Sequence, residues 1–410
     1  MNGGGAIRSG FAGWLQRQQI QYQHQRQHQQ QQACSWEWGI LAAGISNVKT
    51  YKNLFEELYS WENLEDAYWK ARKRKANSPK VQEFEKHWQL RLVTIMRELP
   101  SRTYRPQPLK TFVLRDPKTR VICVSEFRDR VVHHALVNIL QPIFQPRFIY
   151  DSYASQKGKG TLPALERFDV FIRKISKNGR RLPYARNANM VQGFVLKADI
   201  RHYFDTVDQA VLLRIISKRV KDKNVLWLVK VILDNYNSGT PGKGMPLGNW
   251  TSQFFANVYL NELDQFVKHK LPAKYYIRYV DDFVILDSTK AQLQYFQQQI
   301  KEFLKTLNLE LHPTKCKIIP LGNGVSFLGF RVFYHYKRVR AGNVRKIKAR
   351  FMSILDDYEM GLASAHDVIE VMQGWNGHAM HGNTYRLRQA LQTMIEKELR
   401  ARTANRRTGV

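Results

Sequence analysis

The sequence predicts an α+β fold, with helices towards both ends and short strands joined by tight turns between them. Three observations predict it. Apolar residues recur at helical spacing in 51–64 and 81–99, and strand-forming runs meet turn residues at Asp116-Pro117 and again around Asp281-Asp282. From about residue 340 basic amphipathic stretches return. With 410 residues, 43% of them hydrophobic, the chain is long enough for two or three domains with sizeable cores.

A formal charge of +31, from 65 Lys and Arg against 34 Asp and Glu, exceeds what solubility needs and points to a polyanionic partner, nucleic acid first. No run of 18 apolar residues and no signal-peptide pattern occurs, so a soluble chain without a membrane partner is expected. Cys34, Cys123 and Cys316 are too widely spaced for a disulfide framework or a CxxC metal pair. A reducing cytoplasm is the expected location.

In chain order, "QRQQIQYQHQRQHQQQQ" (16–32) is low in complexity and poor in core-forming residues, which predicts disorder. Residues 1–47 are therefore expected to be an upstream in-frame extension or an appendage, with Val48 as an alternative natural start. Tyr51, Leu54, Leu58, Trp61 and Leu64 form one helical stripe. Val81, Phe84, Trp88, Leu92, Ile95 and Leu99 form a second, which Pro100 follows. Next come a strand, a turn at Asp116-Pro117, a strand and a helix from about Asp129. "SKNGRRLPYARNAN" (176–189) lacks periodicity and predicts a surface loop before the strand "GFVLKADI".

That strand carries Asp199 among Val195, Leu196 and Ile200, where burial is expected. A carboxylate buried alone costs several kcal/mol, so it must be paired, protonated or metal-bound. "YVDDFVIL" repeats the problem 82 residues later, with Asp281 and Asp282 at the tip of an expected hairpin. Taken alone, that pair also suits an acidic turn. Together with Asp199, the economical solution makes the two strands neighbours in one sheet, their carboxylates converging on divalent metal. Magnesium is favoured, because it takes oxygen ligands and bridges to substrate phosphates. Two ions about 4 Å apart would activate a primer hydroxyl and stabilise leaving pyrophosphate in an in-line displacement.

"YVDD" preceded by "LKADIRHYFDTVD" resembles the palm of reverse transcriptases, over about 110–400. The intervening "GKGMPLGNWTSQFFANVYLNELDQF" resembles the segment supporting template and incoming nucleotide, with Phe254, Val258, Leu263 and Phe266 inward. "LNLELHPTKCKI" and "VSFLGFRV" are similar to the closing palm motif and the primer-gripping hairpin. The resemblance implies a right-hand polymerase: N-terminal helices and fingers in 48–195, an antiparallel-sheet palm in 196–335 with finger elements at about 206–240, and a helical thumb with a basic tail in 336–410. It also implies two Mg2+ ions, replaceable by Mn2+, with template RNA, primer, cDNA and dNTPs as partners.

By the same resemblance, Asp199 and Asp281 bridge the metals, Asp282 is a weaker or orienting ligand, and the Ile200 carbonyl completes a shell. Phe204 falls at the aromatic gate against a ribose 2′-hydroxyl. Arg115 and Arg120 clamp the triphosphate, Lys315 serves the leaving pyrophosphate, and Leu247 and Gln253 line the nucleotide site. Where many reverse transcriptases read QGxxxSP, this chain reads Leu247-Gly248-Asn249-Trp250-Thr251-Ser252-Gln253. That pattern resembles the enzymes of diversity-generating retroelements. It implies copying of a template-repeat RNA with errors at template adenines for mutagenic retrohoming, alongside a small basic pentameric accessory protein, in a prokaryotic or phage-infected cell. A retron, group II intron or phage-defence reverse transcriptase is the alternative, and a non-catalytic RNA-binding palm is a third. The stretches after 340 place Ile347, Phe351 and Leu355 on one stripe opposite Arg and Lys, as a duplex-holding thumb would.

Overall fold

Short turns between alternating apolar strands, and helices that each bury one face, assemble into antiparallel sheets covered by helices in this computed structural model. The structure describes residues 49–115 and 119–408, with side chains as far as 403. The Gln-rich extension and the turn at Asp116-Pro117 lie outside the described residues.

The first two helical stripes are each interrupted. Tyr51 instead forms a parallel bridge to Val220. The Asp222 carboxylate accepts from Leu54 N at 2.8 Å and Phe55 N at 3.0 Å, starting a short helix Phe55–Leu58. Ser60 then caps Trp61–Arg72 by accepting from Asn63 N at 3.2 Å. The 81–99 stripe breaks at His87 (φ −141°, ψ 38°) into Pro79–Glu85 and Trp88–Glu98. The break stacks Trp88 on Tyr68, ring centroids 5.0 Å apart, while Val81, Phe84, Leu92, Ile95 and Leu99 all remain buried. Both stripes identified core residues correctly and misjudged the continuity of the backbone.

β1 (Lys110–Leu114) and β2 (Arg120–Val124) form a two-stranded antiparallel hairpin, followed by the long helix Phe127–Phe144. That helix begins two positions before the expected Asp129. After Thr161–Ile175, residues 176–189 contain neither helix nor strand, as expected of a loop.

The central sheet runs β4 (Tyr275–Tyr279), β5 (Asp282–Asp287), β3 (Phe194–Asp199), β6 (Lys317–Pro320), with every neighbouring pair antiparallel. Its strands are apolar on both faces because both are covered. Leu196, Ala198, Tyr276, Phe283 and Ile285 join a core shared with helices Phe127–Phe144, Trp250–Gln265 and Lys290–Thr306. Val195, Ile277, Val284 and Leu286 face a second core with Thr161–Ile175 and the C-terminal elements.

β7 (Val325–Phe327), β8 (Phe330–Val332) and β9 (Lys337–Val339) make a separate sheet. Leu328 and Gly329 turn β7 into β8 with φ of 44° and 91°, as a type I′ hairpin turn demands. Three helices follow: Ala341–Glu359, Ala365–Ala379 and Tyr385–Thr408. The middle one was not anticipated, although its capping box at Ser364 and Asp367 is a readable start signal. Among the described residues no helix is long and apolar enough to cross a membrane.

Candidate active site

The register of the central sheet brings the acidic residues together. β3 ends at Asp199, which stands opposite Asp282, the first residue of β5. Asp281 belongs to the turn between β4 and β5, and its carbonyl accepts from Ile200 N at 3.3 Å. Asp199 is buried, and its Oδ2 accepts from Lys315 Nζ at 2.5 Å. Its backbone carbonyl accepts from His312 N at 2.7 Å, tying β3 to the segment that carries Lys315. Among the described residues Asp281 makes no ion pair as close as that of Lys315 with Asp199. Burial, then the Asp199 and Asp282 carboxylates, push its carboxyl up to about 6, with Arg120 opposing the rise.

The turn itself is strained. Val280 has φ +55°, a region that β-branched residues avoid at a cost of about 1–3 kcal/mol. Arg278, wholly buried in β4, donates from Nη1 to the Val280 carbonyl at 3.0 Å. Tertiary contacts therefore hold the conformation that presents Asp281 against local preference.

Backbone pairing ties the segment after Asp199 to the β1–β2 hairpin. Met245 N donates to the Phe204 carbonyl at 2.7 Å, and Cys123 N of β2 donates to the Leu247 carbonyl at 2.8 Å. Phe204 is half-buried, edge-on to Tyr203 at 5.4 Å, and Leu247 is half-buried. Gly248 has φ +127°, and a Cβ there would meet the Cys123 carbonyl oxygen and Ile122 Cγ2, each at 2.9 Å. Asn249 Oδ1 accepts from Ser125 N at 3.1 Å, so the turn before helix Trp250–Gln265 grips the base of the β1–β2 hairpin. Gln253 is exposed and accepts from Ser155 Oγ at 3.1 Å. Ile200 is buried behind the turn, and Arg115 stands exposed just past β1. Lys315 lies against Asp199, at the same end of the sheet as Asp282.

A family model described as reverse transcriptase (RNA-dependent DNA polymerase) matches residues 114–332, more than half of the chain and all of the acidic site. The chain belongs to the reverse transcriptase family. This reverse transcriptase is 26% identical over 290 residues to Protein YkfC of Escherichia coli, covering 61% of this chain and 72% of that one. It is 24% identical over 325 residues to the group II intron-encoded protein LtrA of Lactococcus lactis, covering 62% and 51%. The chain thus spans about half the length of LtrA. A telomerase from Candida albicans aligns at 13% identity with a TM-score of 0.44, over 74% of this chain and 55% of that chain.

Sequence reasoning missed the groups behind the turn of this reverse transcriptase: Arg278, Asp264, Asn257 and Ser152. The signal was a charged residue inside an apolar strand, Arg278 in "YYIRYVDD"; Asp264, in the polar run "NELDQ" of the preceding helix, gave none. Asn249 was visible only as one letter of a motif. Its link to Ser125 needed the fold.

Proposed function

We propose that this reverse transcriptase is a metal-dependent RNA-directed DNA polymerase whose catalytic carboxylates are Asp199, Asp281 and Asp282. The observation that carries the reading is their meeting at one end of the central sheet, with Asp281 held reluctant to ionise by burial and by its two acidic neighbours. Such a site needs added positive charge. Among the described residues no three His, Cys, Asp or Glu side chains form a ready metal cage. Mg2+ does not require one, since it keeps several waters and takes one or two carboxylates together with substrate phosphates. The Lys315 ammonium on Asp199 marks one position a cation occupies. Bound divalent metal would acidify the primer 3′-hydroxyl and offset charge on the leaving pyrophosphate, and Mn2+ would substitute.

The chain's own residues orient the reaction. Asp199 and Asp281 would hold the metals, with Asp282 as a weaker or orienting ligand and the Ile200 carbonyl as a further oxygen donor. Arg120, close enough to oppose the rise at Asp281, holds the triphosphate with Arg115. Lys315, which pairs with Asp199 in the metal-free structure, would serve the leaving pyrophosphate once that carboxylate held metal. In this reading residues 48–195 with about 206–240 are fingers, 196–335 palm and 336–410 thumb. The partners are template RNA, primer, cDNA and dNTPs. Extension of an annealed DNA primer on an RNA template, dependent on Mg2+ and lost with chelator, tests the reading; DNA synthesis that persists in chelator contradicts it.

Phe204 is assigned to sugar selection because its half-buried ring follows the turn after Asp199 and its backbone pairs with the segment leading to Leu247. Phe204→Ala opens space beside the 2′ position and is expected to relax deoxy-over-ribo preference by about tenfold or more. Single-nucleotide incorporation with dNTP and NTP in parallel checks this, and an unchanged ratio returns Phe204 to a packing role.

The narrower reading, a diversity-generating enzyme copying a template repeat beside a small basic pentameric partner, rests on "LGNWTSQ". Leu247 offers apolar contact where Gln would offer a hydrogen bond, worth about 0.5–1.5 kcal/mol, or a few-fold to tenfold in discrimination. Leu247→Gln is expected to lower misincorporation opposite template adenine with synthesis retained. Sequencing cDNA made by both proteins on one template reads the outcome, and equal adenine error rates at equal yield remove Leu247 from the fidelity argument. A group II intron or other type of reverse transcriptase fits the same catalytic site and predicts no adenine excess.

A further inference from the structure

Arg278 and Asp264 are both fully buried, yet neither residue belongs to the set that would hold metal or nucleotide. Arg278 Nε donates to Asp264 Oδ1 at 2.7 Å and Nη2 to Oδ2 at 2.6 Å, a bidentate pair. The remaining donors are also directed. Nη1 reaches Asn257 Oδ1 at 3.2 Å and the Val280 carbonyl at 3.0 Å, while Nη2 reaches Ser152 Oγ at 3.1 Å. Tyr276 OH adds a donor to Asp264 Oδ1 at 2.8 Å. One guanidinium therefore joins helix Trp250–Gln265, the segment at Ser152 and the strained turn that carries Asp281.

The backbone around Arg278 is fixed from the same side. Its N–H donates to the Asp151 carbonyl at 3.0 Å and its carbonyl accepts from Tyr153 N at 3.0 Å. Three residues beyond Ser152, Ser155 bonds Gln253 on the same helix that supplies Asn257 and Asp264. A packed hydrocarbon side chain at 278 could fill the volume, because buried ion pairs are often replaceable without loss of stability. It could not hold the Val280 carbonyl while answering to Asp264. Lys, with a point charge and a flexible stem, could not span those directions either.

We propose that the Arg278–Asp264 pair is a positioning device that sets the height of Asp281 relative to Asp199, and so the metal affinity and turnover of the site. The inference rests on the reading of Asp199 and Asp281 as metal-binding carboxylates. Groups that orient ligands from behind typically contribute on the order of 10- to 100-fold to metal affinity or activity when removed.

The test compares the full-length wild type with Arg278→Lys, Asp264→Asn and, as a control, Asp129→Asn. Asp129 is also fully buried and accepts from Tyr104 OH at 2.8 Å, on the helix Phe127–Phe144. Mn2+ binding is followed by electron paramagnetic resonance titration, thermal melting reports folding, and primer extension gives kcat and KM for dNTP. Arg278→Lys and Asp264→Asn are expected to weaken Mn2+ binding by about 10- to 100-fold and to lower kcat more than they raise KM. Asp129→Asn is expected to lower the melting temperature without moving the Mn2+ affinity. If all three variants melt lower but bind Mn2+ and turn over like wild type, the pair is only structural and the proposal is overturned. Wild type that binds Mn2+ but extends no primer overturns the polymerase reading instead, and the Mn2+ titrations still decide the positioning role.

Discussion

Replacing Asp281 and Asp282 together by Asn is expected to abolish Mg2+-dependent primer extension while leaving folding and RNA binding largely intact. Metal charge stabilisation is worth several kcal/mol, so the loss is on the order of 10³-fold or more. The same site makes a second, opposite expectation about stability. The Asp281 carboxyl stands at about 6 in the folded chain, raised by burial and by Asp199 and Asp282 from an ordinary 3.8. The folded state therefore holds its proton more tightly than the unfolded state does. Stability from this group is present at low pH and is lost as pH rises from about 4 through 6. Asp281→Asn removes that loss and should stabilise the metal-free protein at pH 7 by on the order of 2–3 kcal/mol, with the gain vanishing below about pH 4. Urea unfolding at both pH values, without and with Mg2+, checks the sign. A variant less stable than wild type at pH 7 without metal contradicts the crowding of carboxylates on which the site is built.

Gly248→Ala is expected to have the next largest effect, although Gly248 bears no chemistry. At φ +127° any side chain is strained, and the new Cβ would press on the Cys123 carbonyl and Ile122, at 2.9 Å each. The Cys123 contact is with backbone, so relief requires moving the base of the β1–β2 hairpin away from Leu247. Strain of this kind costs about 1–3 kcal/mol. Since Arg120 lies on β2, the displaced hairpin should raise KM for dNTP more than it lowers RNA affinity. Single-nucleotide kinetics beside RNA-binding measurements read the difference. A wild-type KM in a stably folded variant would show that the hairpin base does not set the nucleotide site.

The acidic core of the site was legible from sequence because burying carboxylates in apolar strands is costly, and Asp199, Asp281 and Asp282 each broke an apolar run. The sheet followed from the need to bring them together, and β3 does pair with β5 at Asp199 and Asp282. Helical stripes located buried residues but not helix breaks. Ser60 and His87 interrupt them through capping and through packing against distant residues such as Asp222 and Tyr68, which periodicity does not encode. Arg278 was hidden for a related reason. Its partner Asp264 and its acceptor at Val280 are set by the helix-to-sheet arrangement, and a lone arginine in a strand gives no hint of which way it points. Lys315 was read for its charge, and the backbone pairing of His312 with Asp199 and of Glu310 with Arg201 fixes the chain segment that delivers it to that carboxylate.

The most direct measurement is single-turnover addition of one complementary dNTP to a DNA primer annealed to an RNA template, with wild type and the Asp281→Asn, Asp282→Asn double variant side by side in Mg2+. The account predicts templated addition by wild type, none in chelator, and a rate reduced by on the order of 10³-fold or more in the equally folded, RNA-bound variant. Addition by the variant at the wild-type rate, or a folded wild type that binds the duplex and adds nothing, would contradict it.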